Sequence, residues 1–223
     1  ASADLHAAVF RDADLTKASL ARAEGVGVVF AGAVLEGAVL DDATLLKATF
    51  ERARADGASG RGLDIAGSTL DHASFCDATL TTVRLYDCRA QGARFDRSEM
   101  TNARVGSSVF TGCSFREIHA PESIWELADL TTSSFHGAVL TAASLVRTTC
   151  LKASFNEAEL VGARLRKAKM NGATFLRANL FEAACDRACF ELADLRGANL
   201  HSAFFFRAVM RHAKTDAGTQ LRT

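Results

Sequence analysis

Six histidines and six cysteines are the residues of this sequence that could bind a metal or act as nucleophiles. They are His6, His72, His119, His136, His201 and His212, and Cys76, Cys88, Cys113, Cys150, Cys185 and Cys189. No two cysteines stand in a CxxC spacing, and no Cys/His grouping has the spacing of a zinc site. We therefore expect no metal, no cofactor and no catalytic residue. The cysteines are interpreted as buried thiols in a reducing compartment.

Carboxylates and glycines also lack a catalytic arrangement. One recurring polar slot holds Asp4, Asp14, Asp129 and Asp194. A short polar side chain in such a slot is expected to hydrogen-bond to the local backbone. Glycines recur in another fixed slot, which predicts corners of the chain and no phosphate-binding loop. The sequence therefore predicts that the protein is not an enzyme.

An apolar residue at every fifth position dominates the sequence. Of the 43 multiples of five from position 5 to position 215, 35 carry a large apolar residue, and Ala usually stands two residues earlier. Five residues advance an α-helix by about 500°, which would scatter these side chains around its axis. In a flat strand they would alternate between faces. The chain must therefore bend after each five-residue unit, with the large residue and the Ala pointing inward.

The spacing of the phenylalanines indicates how many units make one coil. Rings recur every twenty residues, and the predicted core stack is Phe75, Phe95, Phe115, Phe135, Phe155 and Phe175. Only a coil of twenty residues would place these rings one above the next. The sequence thus predicts a four-sided solenoid with about eleven coils, each rising about 4.8 Å.

Several units carry a specific motif. These are ADLTK (13–17), ADLTT (128–132), ANLFE (178–182), ADLRG (193–197) and ANLHS (198–202). Over about its whole length the chain resembles the pentapeptide-repeat family, whose unit reads A(D/N)LxX. The resemblance implies an all-β fold, the right-handed quadrilateral β-helix. We expect a single solenoid over residues 1–215 and a capping tail over residues 216–223.

Two stretches depart from the repeat. Residues 53–62 place Ala55 and Gly60 in the slot for a large residue, and residues 118–123 place Ala120 there, followed by Pro121. We expect a distorted side or a bend at each of them.

A basic column is predicted on the outer surface near the C-terminal end. Stacking by twenty aligns Arg147, Lys167, Arg187 and Arg207, with Arg166 and Lys169 beside them. It could bind an anion or dock a partner. The alternative is a solvated face balanced by Glu157, Glu159, Glu182 and Asp186.

Apolar side chains are also predicted on the surface. Phe204 and Phe206 flank the inward Phe205, and both should point outward together with Phe181 and Val209. Clustered exposed phenylalanines indicate a contact surface. They would form a docking or dimer surface, or be covered by residues 211–223, which lie at the open end of the core.

The overall charge limits the classes of function. Lys and Arg number 26 and so do Asp and Glu, giving a net charge of zero. A nucleic-acid binder usually shows a basic excess, and a DNA mimic needs an acidic one. We expect no direct nucleic-acid binding. No apolar run is long enough to span a membrane. The expected location is the cytoplasm of a bacterium.

The function predicted from these features is a non-catalytic scaffold for protein–protein interaction. The chain is similar to the pentapeptide tails of type VI secretion adaptor proteins, which implies an effector or spike protein as the partner. The alternative implied by the family is protection of DNA gyrase by DNA mimicry, with quinolone or toxin resistance. A stabilising or envelope-associated array is a third reading. A homodimer through one end of the rod is a further expectation.

Overall fold

A computed structural model describes residues 3–220, which form a four-sided β-solenoid. Two strands are long enough to be numbered, β1 (Glu24–Val26) and β2 (Thr44–Leu46), and they pair in parallel with Gly25 opposite Leu45. All other pairing consists of single parallel bridges, from Asp4–Glu24 at one end of the rod to Asn199–Gln220 at the other. The all-β solenoid predicted from the repeat is confirmed.

The bridges link residues twenty positions apart. Ser74 pairs with Arg94, and Arg94 pairs with Ser114. This offset holds along the rod until the last bridge, where Gln220 pairs with Asn199 at an offset of 21. Each five-residue unit has a central inward residue, then a first and a second corner residue, a small inward residue and an outward residue. Four such units close one coil.

The backbone ladder between coils uses three N–H groups in each unit. The central Phe115 donates to the carbonyl of Ser134 at 2.7 Å, and the second corner residue Glu117 donates to His136 at 2.8 Å. The outward residue Ser134 donates backwards to the carbonyl of Cys113 at 2.9 Å. The small inward residue usually closes its own corner, as Ala138 does on Phe135 at 3.1 Å. The N–H of the first corner residue is left over.

At about a third of the corners a side chain accepts this remaining N–H group, which explains the Asp or Asn of the motif. Outside the β1–β2 pair, no first corner N–H within residues 3–220 donates to a backbone carbonyl. Asp129 accepts the N–H of Thr131 at 3.0 Å from the same corner. Asp71 instead accepts the N–H of Gln91, one coil further on, at 2.8 Å. Both arrangements supply a partner that the ladder cannot.

Every corner turns through a left-handed residue. The second corner residue has a positive φ whether it is glycine, as at Gly162 (φ 62°), or not, as at Lys167 (φ 60°) and Leu192 (φ 61°). Glycine adopts this conformation without strain, whereas a bulky side chain does not. The fixed glycine slot in the sequence follows from this geometry.

Stacked aromatic rings fill the axis of the rod. Neighbouring rings from Phe75 to Phe175 lie 4.8 to 5.5 Å apart and within 12° of parallel. Trp125 packs edge-on against the stack. A shorter stack, with Phe50 at its end, occupies another column near the N-terminal end and meets Phe75 edge-on at 6.1 Å. The interior is therefore solid side chain.

The bends expected at residues 53–62 and 118–123 are absent. Bridges continue through both stretches, including Ser59–Thr79 and His119–Val139. Pro121 occupies a first corner position, where the N–H has no ladder partner, so a proline costs no ladder hydrogen bond. Its carbonyl still accepts the N–H of Asn102 at 3.1 Å. The expectation of a bend was wrong, because proline interrupts a β-ladder only where its missing N–H group would have donated to the ladder. The first corner position is not such a place.

A swap of side-chain sizes keeps the rod straight where small residues occupy the large slot. A methyl group added at Gly60 would lie 3.1 Å from the side chains of both Leu63 and Leu80. Leu63 is a large residue in the small inward slot, so it fills the space that Gly60 leaves. Val28 does the same beside Gly25. Core volume is conserved locally even where the motif is broken.

Candidate interaction surface

Within residues 3–220, no group of three or more His, Cys, Asp or Glu side chains could hold a metal ion. Every buried side-chain nitrogen or oxygen in this part of the chain has a hydrogen-bond partner. The same residues contain no helix that could cross a membrane.

The cysteine thiols serve as internal packing groups. All six are free, and only Cys189 is partly exposed. Burial raises the pKa of Cys88 to about 12 and that of Cys113 to about 12. The Sγ atom of Cys88 donates to the carbonyl of Ile65 at 3.2 Å. A protonated, buried thiol is a poor nucleophile, so these cysteines support the core.

The predicted basic column lies along one corner of the solenoid. Arg147, Lys167, Arg187 and Arg207 are second corner residues in successive coils, with φ between 55° and 60°. Backbone hydrogen bonds hold these coils in register. Arg166 is a first corner residue of the same corner, and it accepts from the N–H of Arg147 at 3.0 Å. We call these five exposed residues the basic corner.

Nine arginines outside the basic corner form ion pairs across or within coils, as Arg97 does with Asp77 at 2.7 Å and Arg196 with Asp194 at 2.7 Å. Within the described part of the chain the basic corner forms none, a property that it shares with a few isolated arginines such as Arg52. No carboxylate of residues 3–220 lies within 4.0 Å of a cationic group of the basic corner or of Lys169 on the neighbouring face. These positive charges face solvent without an ion-pair partner.

The acidic residues proposed to balance this column have other partners or form no pair with it. Glu157 pairs with Arg177, and Glu159 accepts the amide of Asn179 at 2.9 Å. Asp186 lies on the basic corner itself, where it lines a surface depression of about 290 Å³ with Arg166. Of the four acidic residues expected to balance the column, Asp186 is the one that lies on this corner.

Two exposed phenylalanines lie at the C-terminal end of the basic corner. Phe204 is 58% exposed and Phe206 is 52% exposed, and their rings lie 6.3 Å apart. The guanidinium of Arg207 stands 5.1 Å from the ring centre of Phe206. Val209, on the next face, is exposed as well. We call Phe204, Phe206 and Val209 the aromatic patch.

Phe181 lies apart from the aromatic patch. It is a first corner residue of a different corner, where it is only partly exposed. Its ring stacks on that of His201 at 5.6 Å, with an angle of 10° between the planes. The position of Phe181 in the repeat does not by itself reveal this partner.

Two further residues belong to this surface and were missed from the sequence. Arg164 is the outward residue beside the basic corner and lines the same depression as Arg166. Leu127 stands one coil before Arg147 in the same corner column, with a φ of 65° and 55% of its surface exposed. The positions of Arg164 and Leu127 beside the basic corner can be read from the twenty-residue period, provided that every outward and corner slot is followed from coil to coil.

The net charge of zero conceals a separation of charge along the rod. Residues 141–223 contain 13 Lys and Arg against 7 Asp and Glu, a net charge of +6. Residues 1–140 contain 13 Lys and Arg against 19 Asp and Glu, a net charge of −6. The basic corner lies in the positive part.

The five-residue period, the left-handed corners and the capping Asp residues together define the family. The profile of the Pentapeptide repeats family matches residues 3–42, 26–59, 133–172 and 158–197, more than half of the chain. The chain belongs to the pentapeptide-repeat family. Its fold is the family's right-handed quadrilateral β-helix. Among curated proteins, none has a significantly similar sequence.

Several solved structures of pentapeptide-repeat proteins are similar to this chain. Rfr23 from the cyanobacterium Cyanothece 51142 is 24% identical, with a TM-score of 0.50 over 50% of this chain and 90% of that one. HetL from Nostoc sp. strain PCC 7120, involved in heterocyst differentiation regulation, is 21% identical (TM-score 0.38; 96% and 87% covered). QnrB1, a plasmid-mediated fluoroquinolone resistance protein, is 18% identical (TM-score 0.43; 87% and 91% covered). At 24% identity, the likeness to Rfr23 concerns the fold alone.

Proposed function

We propose that this pentapeptide-repeat protein is a non-catalytic scaffold that binds a protein partner on its outer surface. The observation that carries the proposal is the basic corner, whose exposed cations have no ion-pair partner within residues 3–220. The aromatic patch adjoins it. Cations beside exposed aromatic rings are a composition enriched at protein interfaces.

The solid interior supports this function. Each unit is fixed to the next coil by backbone hydrogen bonds, and the rings from Phe75 to Phe175 lie buried in contact with one another. The corner positions are therefore held in place before a partner arrives. Pre-organisation lowers the entropy cost of binding, so a rigid rod can bind a partner with few contacts.

The specific role we favour is an adaptor that presents a type VI secretion effector to the spike. This role rests on the similarity of the repeat tail and needs a protein-binding surface on a rigid rod. We place the protein in the bacterial cytoplasm, where effectors are loaded. Its six free cysteines suit a reducing compartment.

Protection of DNA gyrase is the second candidate, and the net charge of −6 over residues 1–140 is the observation that favours it. Six of the 19 carboxylates there are paired with arginines, however. Asp41 pairs with Arg61, and Asp77 pairs with Arg97. A DNA mimic needs rows of free carboxylates at the spacing of phosphates, and these pairs interrupt such rows.

Photo-crosslinking in the native host tests the scaffold. A benzoylphenylalanine at Phe206 is expected to crosslink to one discrete protein. The same group at Arg116, an exposed residue on the opposite corner, is the matched control and should give no such adduct. The proposal is overturned if position 206 gives no protein adduct, or if both positions capture the same mixture.

A supercoiling assay separates the two candidates. Purified protein is added to DNA gyrase with and without ciprofloxacin. A scaffold unrelated to gyrase leaves both reactions unchanged. Relief of ciprofloxacin inhibition would instead establish the gyrase-protection function and refute the adaptor role.

A further inference from the structure

We infer that the partner contributes a short, extended, acidic segment with an apolar residue at each end, and that this segment lies along the basic corner between Leu127 and Phe206. The inference rests on the proposed function and specifies the chemistry of its partner. It is carried by three features of the surface: the length of the cationic column, its positive excess without ion pairs, and the apolar side chains at both ends.

The length of the column sets the length of the segment. From Leu127 to Arg207 the corner passes through four coil steps, which at about 4.8 Å per coil is roughly 19 Å. An extended chain covers about 3.3 Å per residue, so about six residues span this distance. A peptide of that size can contact every cation of the column at once.

The charge of the column requires an anionic partner. Arg147, Lys167 and Arg187 form no ion pair with any carboxylate of residues 3–220. Asp186 lies on the same corner, and Glu126 accepts a hydrogen bond from Ser144 at 2.8 Å. These two carboxylates leave the column with a positive excess. Acidic side chains would supply the missing counter-charges and steer the partner to this corner.

Both ends of the column carry exposed apolar side chains. Leu127 is 55% exposed and holds a left-handed conformation that is costly for leucine. At the other end Phe206 is 52% exposed beside Phe204. About half of each of these side chains is open to solvent within residues 3–220. Apolar residues of the partner would bury them, which gives the acidic segment a fixed register.

A polynucleotide or a membrane fits this surface less well. A long nucleic acid would extend past the column onto residues 1–140, whose net charge is −6. A bilayer presents a plane, whereas the cations line a single corner of the rod. A short acidic segment with apolar ends therefore fits the surface best.

Fluorescence anisotropy with the intact chain tests the inference. The probe is a labelled peptide of about eight residues, with a run of glutamates between a terminal leucine and a terminal phenylalanine. We compare a variant with Arg147→Glu, Lys167→Glu and Arg187→Glu. Glutamate is tolerated in second corner slots, because the chain already has it there at Glu117 and Glu182.

The matched control reverses three cations in the same slot on other corners: Lys17→Glu, Arg52→Glu and Lys152→Glu. It changes the net charge by the same amount. We expect the basic-corner variant to bind at least about tenfold more weakly and the control to stay within about twofold of the wild type. Equal loss in both variants would show a nonspecific charge effect and overturn the inference.

The apolar ends have their own matched pair. Leu127→Gly is expected to weaken peptide binding several-fold, whereas Leu192→Gly, an exposed leucine with the same conformation on another corner, should leave it unchanged. An unaffected Leu127→Gly protein would refute apolar contact at that end.

Two competing ligands complete the test. A single-stranded oligonucleotide and vesicles with anionic lipid are expected to bind more weakly than the peptide. Tighter binding of either one overturns the inference. Crosslinking at Phe206 that survives the three basic-corner substitutions would refute the acidic segment and retain the scaffold, whereas a lack of any adduct would refute the scaffold itself.

Discussion

The phenyl rings of Phe115 and Phe135 lie 4.8 Å apart with their planes 12° from parallel. Twenty residues separate them in the sequence, yet they are neighbours in the core. Each ring inside the stack, from Phe95 to Phe155, contacts the ring one coil before and one coil after it. Removing one ring therefore affects three coils, and the cavity cannot close because backbone ladders hold the coils at a fixed spacing.

Phe115→Ala is expected to lower the free energy of unfolding by about 3–5 kcal/mol, the usual cost of a large core cavity. Urea denaturation followed by circular dichroism measures the change. Phe204→Ala, at an exposed ring, is the control and should change stability little. A loss below about 1 kcal/mol for Phe115→Ala would contradict a continuous ring stack.

Asp129→Ala is expected to destabilise the protein by about 0.5–1.5 kcal/mol, because the N–H of Thr131 loses its only acceptor. Asp129→Asn keeps an oxygen in the same position and should retain most of the stability. Thermal unfolding of both variants makes the comparison. Equal losses would show that the charge of Asp129 matters and the corner hydrogen bond does not.

Stability is expected to fall in acid, and Asp71 is one source. Burial raises the pKa of Asp71, but hydrogen bonds from Arg89 and the N–H of Gln91 lower it further, so the net pKa lies below its usual value. Such a carboxyl stabilises the fold above its unfolded pKa of about 3.9, and this contribution is lost as the pH falls through the folded pKa.

Asp71→Asn should therefore show a smaller drop in urea midpoint between neutral pH and about pH 2.5 than the wild type does. Asp12→Asn is the control, because the Asp12 side chain has no hydrogen bond or ion pair within residues 3–220. The same drop in all three proteins would rule out a contribution from Asp71.

Leu192→Gly is expected to stabilise the protein by about 0.5–1 kcal/mol. The gain reflects relief of a left-handed leucine, partly offset by the chain entropy of glycine. Leu192→Ala keeps the strained conformation and should change stability by less than about 0.5 kcal/mol. Urea midpoints compare the two. If glycine is no better than alanine here, strain at the corner is negligible.

The sequence determined most of the fold because each feature has a local cause. A period of five with rings every twenty residues admits only a four-sided coil, and the positions of Phe95, Phe115 and Phe135 follow directly. Corner glycines and capping Asp residues were also predictable, because the first permit a positive φ and the second accept a free backbone N–H group within the same corner. Pro121 was misjudged because its harmlessness depends on which N–H group the ladder leaves unused.

Other features depend on contacts that a period cannot specify. Ser108 occupies the small inward slot, where its hydroxyl accepts the N–H of Cys88 at 2.9 Å and donates to the carbonyl of Leu85 at 2.6 Å. The motif predicts only a small residue there. The absence of ion pairs at the basic corner is likewise set by side-chain conformations. The twenty-residue period predicts which residues lie next to Arg187 in its column. It does not predict that the charge of Arg187 forms no ion pair.

The unused N–H group at each first corner has a consequence for how this protein can change. No ladder bond depends on that N–H group, so even proline, which lacks it, fits there, as Pro121 illustrates. The outer residues can therefore be replaced one at a time while the interior stays the same. Each replacement can change which partner the surface binds. Lineages that carry such a rod can exchange partners quickly, and an engineer could do so by design.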